Sequence, residues 1–156
     1  MKIIFLDIDG VLNSREYDRK RDYTKQTNID ETRLPYVKQI VDKTGAAIVL
    51  SSTWRRHWSS NRDKCDSDGL YMTDLFAKYG LTIYDKTPEG NYVDRHDEIK
   101  HYMLYSGEPI SSFVIIDDYG FGWGEFSDHF VKTDPYGSLG IDEGVVACAV
   151  KILNGK

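Results

Sequence analysis

Short apolar runs, separated by amphipathic segments, recur along the chain. Continuous runs predict strands at residues 3–6, 46–50, 81–84 and 113–116, with a shorter one around 130–131. The runs at 3–6, 46–50 and 113–116 do not alternate between apolar and polar positions, which is typical of strands covered on both faces of a parallel sheet.

The segments between these runs carry helix signals. Helices are predicted at residues 30–43, 72–79, 95–105 and 142–153, and the segment 66–70 is predicted to be a turn. Asp30 and Asp94 are candidate N-caps, and Gly45 follows the first of these helices as a stop signal. Alternation of strands and helices predicts an α/β fold with a mainly parallel sheet covered on both faces.

Two acids follow the first strand. Asp7 and Asp9 are one residue apart and precede Gly10. Extended backbone would place both carboxylates on the same side of the chain, where their charges repel unless a cation lies between them. Mg²⁺ suits such a place because it binds one or two carboxylates together with waters and phosphate oxygens. The alternative is a charged turn in which Gly10 relaxes the backbone.

The strand at 113–116 ends in a second acidic pair, Asp117 and Asp118. Function in parallel sheets gathers at the carboxyl ends of the strands, so the two acidic pairs predict one shared cation site. As an alternative, Asp117 and Asp118 cap the following segment or pair with arginines. The strand at 46–50 ends in Ser51 and Ser52, whose hydroxyls can hold a phosphoryl oxygen or act as helix N-caps.

These residues resemble the four motifs of the haloacid dehalogenase (HAD) superfamily of phosphotransferases. The matching elements are Asp7-Ile8-Asp9-Gly10-Val11-Leu12, the hydroxyl cluster from Ser51, a basic residue before the last core strand, and Asp117-Asp118. More narrowly, residues 50–55, 95–99 and 133–141 are similar to the HAD domain of Swiss Army Knife RNA repair proteins. The resemblance implies a HAD-like Rossmannoid three-layer sandwich, with residues 1–156 as a single domain and no large cap domain.

The resemblance also implies roles for individual residues. Asp7 would be the nucleophile that forms an aspartyl-phosphate, and Asp9 the general acid and base. Asp118, assisted by Asp117, would complete a Mg²⁺ site with Asp7 and with the backbone carbonyl of Asp9. Ser51 would donate a hydrogen bond to a phosphoryl oxygen.

The basic residue of the third motif departs from the superfamily pattern, which generally has a lysine. Arg95 is the best placed candidate, and Lys86 and Lys100 are competitors. Asp94 can cap the helix that begins at Arg95, with Glu98 closing a capping box. Arginine binds phosphate bidentately and stays charged, although a surface cation on a helix is the simpler alternative.

The spacing of the motifs leaves little room for a cap domain. Residues 13–29 are too few for a folded cap and are predicted to form a short flap, so the site should be open. An open site favours a phosphate carried by a large partner, such as a nucleic-acid end. Candidate substrate contacts are Gly10, Ser52 and Arg55, whereas the helical spacing of Trp54 and Trp58 favours core packing.

Charge gives a mixed indication of the partner. The 20 basic and 25 acidic residues leave a net charge of -5, which does not fit nonspecific coating of nucleic acid. Basic residues nevertheless cluster in the flap beside two tyrosines. The set is Arg15, Arg19, Lys20, Arg21 and Lys25, with Tyr17 and Tyr23. This rim could guide a phosphorylated strand end, or it could be a solvated loop.

Composition indicates a soluble cytoplasmic protein. Cys65 and Cys148 lack the spacing of a metal site, and reduced thiols are the simpler assumption. The apolar run at 3–6 is short and ends at Asp7, which argues against a signal peptide or membrane span. No obligate protein partner is evident.

The sequence therefore predicts a Mg²⁺-dependent phosphomonoesterase that acts through an aspartyl-phosphate, with a nucleic-acid phosphate end as the favoured substrate. A 5'-nucleotidase or general small-molecule phosphatase is one alternative. A catalytically idle HAD-like binding module is another, although two repelling carboxylates have no evident use in a scaffold.

Overall fold

A five-stranded parallel sheet forms the centre of the protein in a computed structural model that describes residues 1–90 and 94–155. Its strands are β1 (Lys2–Leu6), β2 (Ala47–Leu50), β3 (Ile83–Lys86), β4 (Ser112–Asp117) and β5 (Phe130–Lys132). They lie in the order β3-β2-β1-β4-β5, and every neighbouring pair is parallel. The predicted parallel α/β sheet is confirmed, although β3 begins two residues later than its apolar run.

Helices surround this sheet. They are α1 (Arg15–Lys20), α2 (Leu34–Thr44), α3 (Ser67–Lys78), α4 (Arg95–Tyr105) and α5 (Glu143–Asn154), with short 3-10 segments at Glu31–Arg33, Thr53–His57, Arg62–Lys64 and Gly124–His129. The bounds of α4 agree with the prediction, and Asp94 caps it by accepting the Asp97 amide at 3.0 Å. No helix among the described residues is both long enough and apolar enough to cross a membrane.

Alternate residues of β1 enter two separate apolar layers. Ile4 and Leu6 belong to the larger one, which includes residues of α2, α3 and α5. Ile3 and Phe5 belong to the smaller one, in which the Phe5 ring meets the Tyr102 ring of α4 edge to face at a centroid distance of 5.7 Å. Because both faces of the central strand are buried, its sequence is apolar without alternation.

One local prediction was wrong. The segment 66–70 is not a turn, because Asp66 accepts the Gly69 amide at 3.0 Å and α3 begins at Ser67. A Cβ at Gly69 would overlap the backbone carbonyl of His57, so a close approach of the chain explains this helix glycine. The predicted flap contains the short helix α1, whose N-cap is Ser14.

The register of the sheet positions the polar strand ends. Leu6 lies beside Leu50 in β2 and beside Ile116 in β4. The ladder continues one residue further, where the Ser51 amide donates to the Leu6 carbonyl at 2.9 Å and the Asp7 amide donates to the Ile116 carbonyl at 3.1 Å. The residues that follow β1 and β2, and the last residue of β4, therefore lie at one edge of the sheet.

Candidate active site

Three carboxylates converge at this edge. Asp7, Asp117 and Asp118 each offer an oxygen within 4.8 Å of the other two. Asp7 is 2% exposed and Asp117 is fully buried, whereas Asp118 is half-buried. The structure thus brings Asp7 of the first acidic pair together with both acids of the second.

One guanidinium bridges two of these acids. Nη1 of Arg95 lies 2.9 Å from Oδ2 of Asp7 and 2.6 Å from Oδ2 of Asp117. The two competing lysines are engaged elsewhere. Lys86 donates to the backbone carbonyls of Arg55 and Trp58, and Lys100 pairs with Glu125 at 3.4 Å. Arg95 is therefore the one of these three cations that contacts the carboxylates, and the N-terminus of α4 positions it there.

The three carboxylates and the single guanidinium of this group do not balance in charge. Burial, and then the neighbouring charge of Asp117, raise the pKa of Asp7 to about 8, although Arg95 acts in the opposite direction. Burial also raises the pKa of Asp118, with Asp117 adding to the effect. One guanidinium does not offset three carboxylates, and carboxylate oxygens are the ligands that Mg²⁺ prefers. The residues present therefore fit a divalent cation.

The Asp9 carboxylate lies outside this three-carboxylate group. Its Oδ1 accepts a hydrogen bond from Nδ2 of Asn13 at 2.9 Å, and its Oδ2 accepts one from the Trp54 indole at 3.3 Å. The Asp9 side chain is exposed, so it faces solvent while two donors hold it. Sequence reasoning missed Asn13 and expected only core packing of Trp54, which packs partly against the core and also contacts Asp9.

Gly10 allows the first and fourth motifs to touch. Its φ is +84°, and a Cβ there would overlap the Asp118 carboxylate. Asn13 accepts its amide at 2.7 Å, and the Thr133 hydroxyl donates to its carbonyl at 2.7 Å. A side chain at this position would strain the backbone and displace Asp118.

The two serines after β2 differ in their bonding. Both are 1% exposed. The hydroxyl of Ser52 accepts the Trp54 amide at 3.1 Å, which is the N-cap alternative. The hydroxyl of Ser51 has no hydrogen-bond partner among the described residues. A buried hydroxyl without a partner is uncommon in native proteins, and it remains available to a ligand oxygen.

Arg55 is not placed as the predicted substrate contact. Its guanidinium donates to the Ser52 carbonyl at 3.0 Å and to Oε1 of Glu98 at 2.9 Å, and the residue is 8% exposed. Glu98 consequently pairs with Arg55 rather than completing the predicted capping box at Asp94. A buried guanidinium needs a carboxylate nearby, and α4 supplies it.

Two open clefts meet at Asp118 and Tyr136. One has a volume of about 570 Å³ and is bordered by residues of the flap, among them Arg15, Asp18, Arg19 and Tyr23. The other has a volume of about 710 Å³ and is bordered by Arg95, Tyr119, Phe121 and Trp123. Three other flap residues have local partners, since Lys20 pairs with Glu16, the Arg21 guanidinium lies over the Tyr23 ring, and the Tyr17 hydroxyl donates to the Thr27 carbonyl.

A comparison with known families gives one match. The model described as the HAD domain in Swiss Army Knife RNA repair proteins covers residues 3–143, which include all of the residues above. No curated protein and no solved structure matches the chain.

Proposed function

The chain belongs to the HAD domains of Swiss Army Knife RNA repair proteins, and we propose that it is a Mg²⁺-dependent phosphomonoesterase acting on phosphate ends of nucleic acid. Membership supports a hydrolase of the HAD phosphatase type at the level of the superfamily. The observation that carries the proposal is the convergence of the Asp7, Asp117 and Asp118 carboxylates, two of which, Asp7 and Asp117, share the Arg95 guanidinium.

Asp7 is the proposed nucleophile. Its carboxylate oxygen attacks phosphorus, the bond from phosphorus to the ester oxygen breaks, and an aspartyl-phosphate forms. A carboxylate with a pKa of about 8 is largely protonated at neutral pH and a poor nucleophile, so the site requires more positive charge than Arg95 supplies. Bound Mg²⁺, held by Asp7, Asp117 and Asp118 with the backbone of Asp9, would supply that charge and neutralise phosphoryl oxygens.

Asp9 is the proposed acid and base. It gives a proton to the leaving oxygen, then takes one from the water that attacks phosphorus and releases phosphate from Asp7. Its exposure suits contact with a leaving group, and the donors Asn13 and Trp54 fix its orientation.

Arg95 and Ser51 are proposed to position the phosphoryl group. Arg95 holds the oxygen of Asp7 that faces it and can also offer N–H groups to the phosphate. Ser51 follows β2 directly beside Asp7, and its unpartnered hydroxyl can donate to a phosphoryl oxygen. Ser51 is thus the third side chain, with Asp7 and Arg95, that we propose to contact the phosphoryl group.

A nucleic-acid end is the proposed substrate because the site is open on two sides. The described part of the flap is a single short helix and its flanking turns, and Arg15 and Arg19 border the cleft next to Asp118. Exposed arginines beside the acidic site can pair with backbone phosphates next to the one that reacts.

Phosphate release from oligonucleotides tests this function. We expect Mg²⁺-dependent release from a 3'- or 5'-phosphorylated oligonucleotide, loss of that release in Asp7→Asn, and no change in Asp42→Asn, which alters an exposed carboxylate paired with Lys38. A higher kcat/KM for a mononucleotide would favour the nucleotidase alternative. Absence of release from every phosphate ester would favour a binding module.

A further inference from the structure

Exposed aromatic rings gather around the two clefts. Among the described residues, six tyrosine or phenylalanine side chains are strongly exposed, namely Tyr23, Tyr84, Tyr105, Tyr119, Phe121 and Tyr136. Four of these border the clefts that meet at Asp118, and three of those border the second cleft. Exposed rings concentrated at one place mark a binding surface, whereas single exposed rings elsewhere need no explanation.

The loop that carries two of these rings is anchored at both ends. At its start, the Tyr119 amide donates to Oδ1 of Asp117 at 2.9 Å. At its end, Trp123 is buried, stacks on Phe130 at a centroid distance of 5.2 Å, and donates its indole N–H to the Tyr119 carbonyl at 2.8 Å. The loop is thus held against the acidic site while its rings face solvent.

Between these anchors, the rings project outward. Tyr119 is 60% exposed and Phe121 is 75% exposed, and their rings meet edge to face at a centroid distance of 5.8 Å. Because the two anchors fix the backbone, little conformational entropy is lost when a planar ligand settles on these rings.

Tyr136 stands where the two clefts meet. It is 79% exposed, and its amide is held by Oδ1 of Asp134 at 3.0 Å. The preceding Thr133 donates to the Gly10 carbonyl, so this turn is attached directly to the first motif. A ligand whose phosphate reaches Asp118 therefore meets an aromatic ring on this side of the site.

The two clefts differ in chemistry. The first cleft is bordered by Arg15 and Arg19 with acids among them, whereas the second is bordered by four aromatic rings together with Asp94, Arg95 and His96. A nucleotide at a strand end matches both clefts, because an anionic backbone lies on one side of it and its planar base on the other. A phosphorylated serine or threonine side chain has no planar group to place against these rings.

We propose that Tyr119, Phe121 and Tyr136 form a stacking site for the unpaired base of the nucleotide that carries the reacting phosphate. This inference rests on the proposed function and specifies its substrate as a single-stranded or frayed end. A terminal base that stays paired is held by its complement and by its neighbour, whereas an unpaired base is free to turn onto these rings.

Binding to a non-hydrolysing protein tests the stacking site separately from catalysis. The Asp7→Asn protein is titrated with a phosphorylated single-stranded oligoribonucleotide that has 2-aminopurine at the phosphorylated terminus. Ring stacking should quench the fluorescence of this base. In the Asp7→Asn background, Phe121→Ala should weaken binding by about tenfold, the size of one base–aromatic contact, and abolish the quenching.

Three controls accompany this variant. Phe121→Trp should restore both affinity and quenching. Tyr105→Ala removes an equally exposed ring at the far end of α4, about 15 Å along the helix from Arg95, and should change neither. An oligonucleotide without its terminal base should bind about tenfold more weakly and should no longer respond to Phe121→Ala.

The outcomes separate the two proposals. Quenching without phosphate release by the wild-type protein would contradict the proposed phosphatase and leave the stacking site standing. Phosphate release with equal binding of the intact and base-free oligonucleotides would overturn the stacking site alone. Tighter binding of a phosphotyrosyl peptide than of the oligonucleotide, with Phe121→Ala affecting only the peptide, would also overturn it and assign the rings to a protein substrate.

Discussion

Two arginines at the same edge of the sheet differ in the charge around them. Arg95 faces two carboxylates, with a third close by, whereas Arg55 faces the single carboxylate of Glu98. Asp7 and Asp117 are buried, and Glu98 is partly buried. The pair of Arg55 and Glu98 is balanced in charge and joins the segment after β2 to α4. The group around Arg95 carries excess negative charge, which a stable fold does not need and a bound cation would offset.

One edge of the sheet thus carries both a structural ion pair, at Arg55, and a charged group suited to chemistry, at Arg95. Glu98 lies three residues after Arg95 on α4, so the same helix supplies one residue to each set. Anchoring this helix through Glu98 fixes the place of Arg95. Variants of the two sets should separate the structural role of Arg55 from the chemical role of Arg95, and we expect the largest effect at Arg95.

Replacing Arg95 with methionine should affect catalysis most. Without its N–H groups, Asp7 and Asp117 lose their shared partner and the phosphate loses a positive charge, so kcat/KM should fall by about 10³-fold. Steady-state phosphate release measures the loss. Arg95→Lys should recover much of it, since a lysine occupies this place in the superfamily pattern that the sequence resembles. Full activity in Arg95→Met would show that Arg95 has no role in catalysis.

Replacing Arg55 with methionine should affect stability instead. The change leaves Glu98 as a buried carboxylate without a cation, which should lower the free energy of unfolding by about 3 kcal/mol. Urea denaturation measures it. Arg62→Met breaks an exposed ion pair with Asp74 and should leave stability nearly unchanged. A raised KM with unchanged stability in Arg55→Met would instead restore its predicted role as a substrate contact.

The excess negative charge should make stability depend on pH when no divalent cation is present. The pKa of Asp7 is about 8 in the folded protein against a reference value of 3.8, so the folded state retains a proton that the unfolded state has lost. The free energy of unfolding should therefore decrease as pH rises from about 4 to about 8, by up to about 1.4 kcal/mol per pH unit for one proton.

Chemical denaturation in a chelator at several pH values measures this slope. Asp7→Asn removes the titrating group, so the difference between wild type and variant isolates its contribution. Mg²⁺ should flatten the wild-type dependence, because it favours the ionised carboxylate. Identical pH profiles for the two proteins would show that Asp7 titrates normally.

The smallest effect is expected from Trp54→Phe. This change removes the indole N–H that contacts Asp9 at 3.3 Å and keeps most of the apolar surface. Loss of one long hydrogen bond to an exposed carboxylate should reduce kcat by about fivefold and leave KM nearly unchanged. A shift of the pH profile of kcat would identify Trp54 as a positioning residue for Asp9, whereas a loss of stability alone would limit it to packing.

The strands and the acidic groups could be predicted because local sequence determines them. The runs that form β1 and β4 are apolar without interruption and end in acids, and parallel pairing places such ends together. The bounds of α4 follow from one capping residue, Asp94. Arg95 could be ranked first among three candidates because that cap places it at the start of a helix.

The contacts of Arg55 with Glu98 and of Asp9 with Trp54 could not be predicted, because they join distant segments. Arg55 and Glu98 are 43 positions apart, and Trp54 and Asp9 are 45 apart. The start of α3 was missed for a different reason. Asp66, Ser67, Asp68 and Gly69 are all turn residues by composition, and only the packing of Gly69 against the His57 carbonyl explains the glycine.

The central place of β1 has a consequence for synthesis of the protein on the ribosome. Lys2 pairs with Ser112, so the strand that bears Asp7 acquires its β4 neighbour only after 110 further residues have been added. At typical translation rates this takes about 5–20 s. Until β4 has been made, at least one edge of this apolar strand is unpaired in the nascent chain, and chaperones that shield such edges would be expected to bind it.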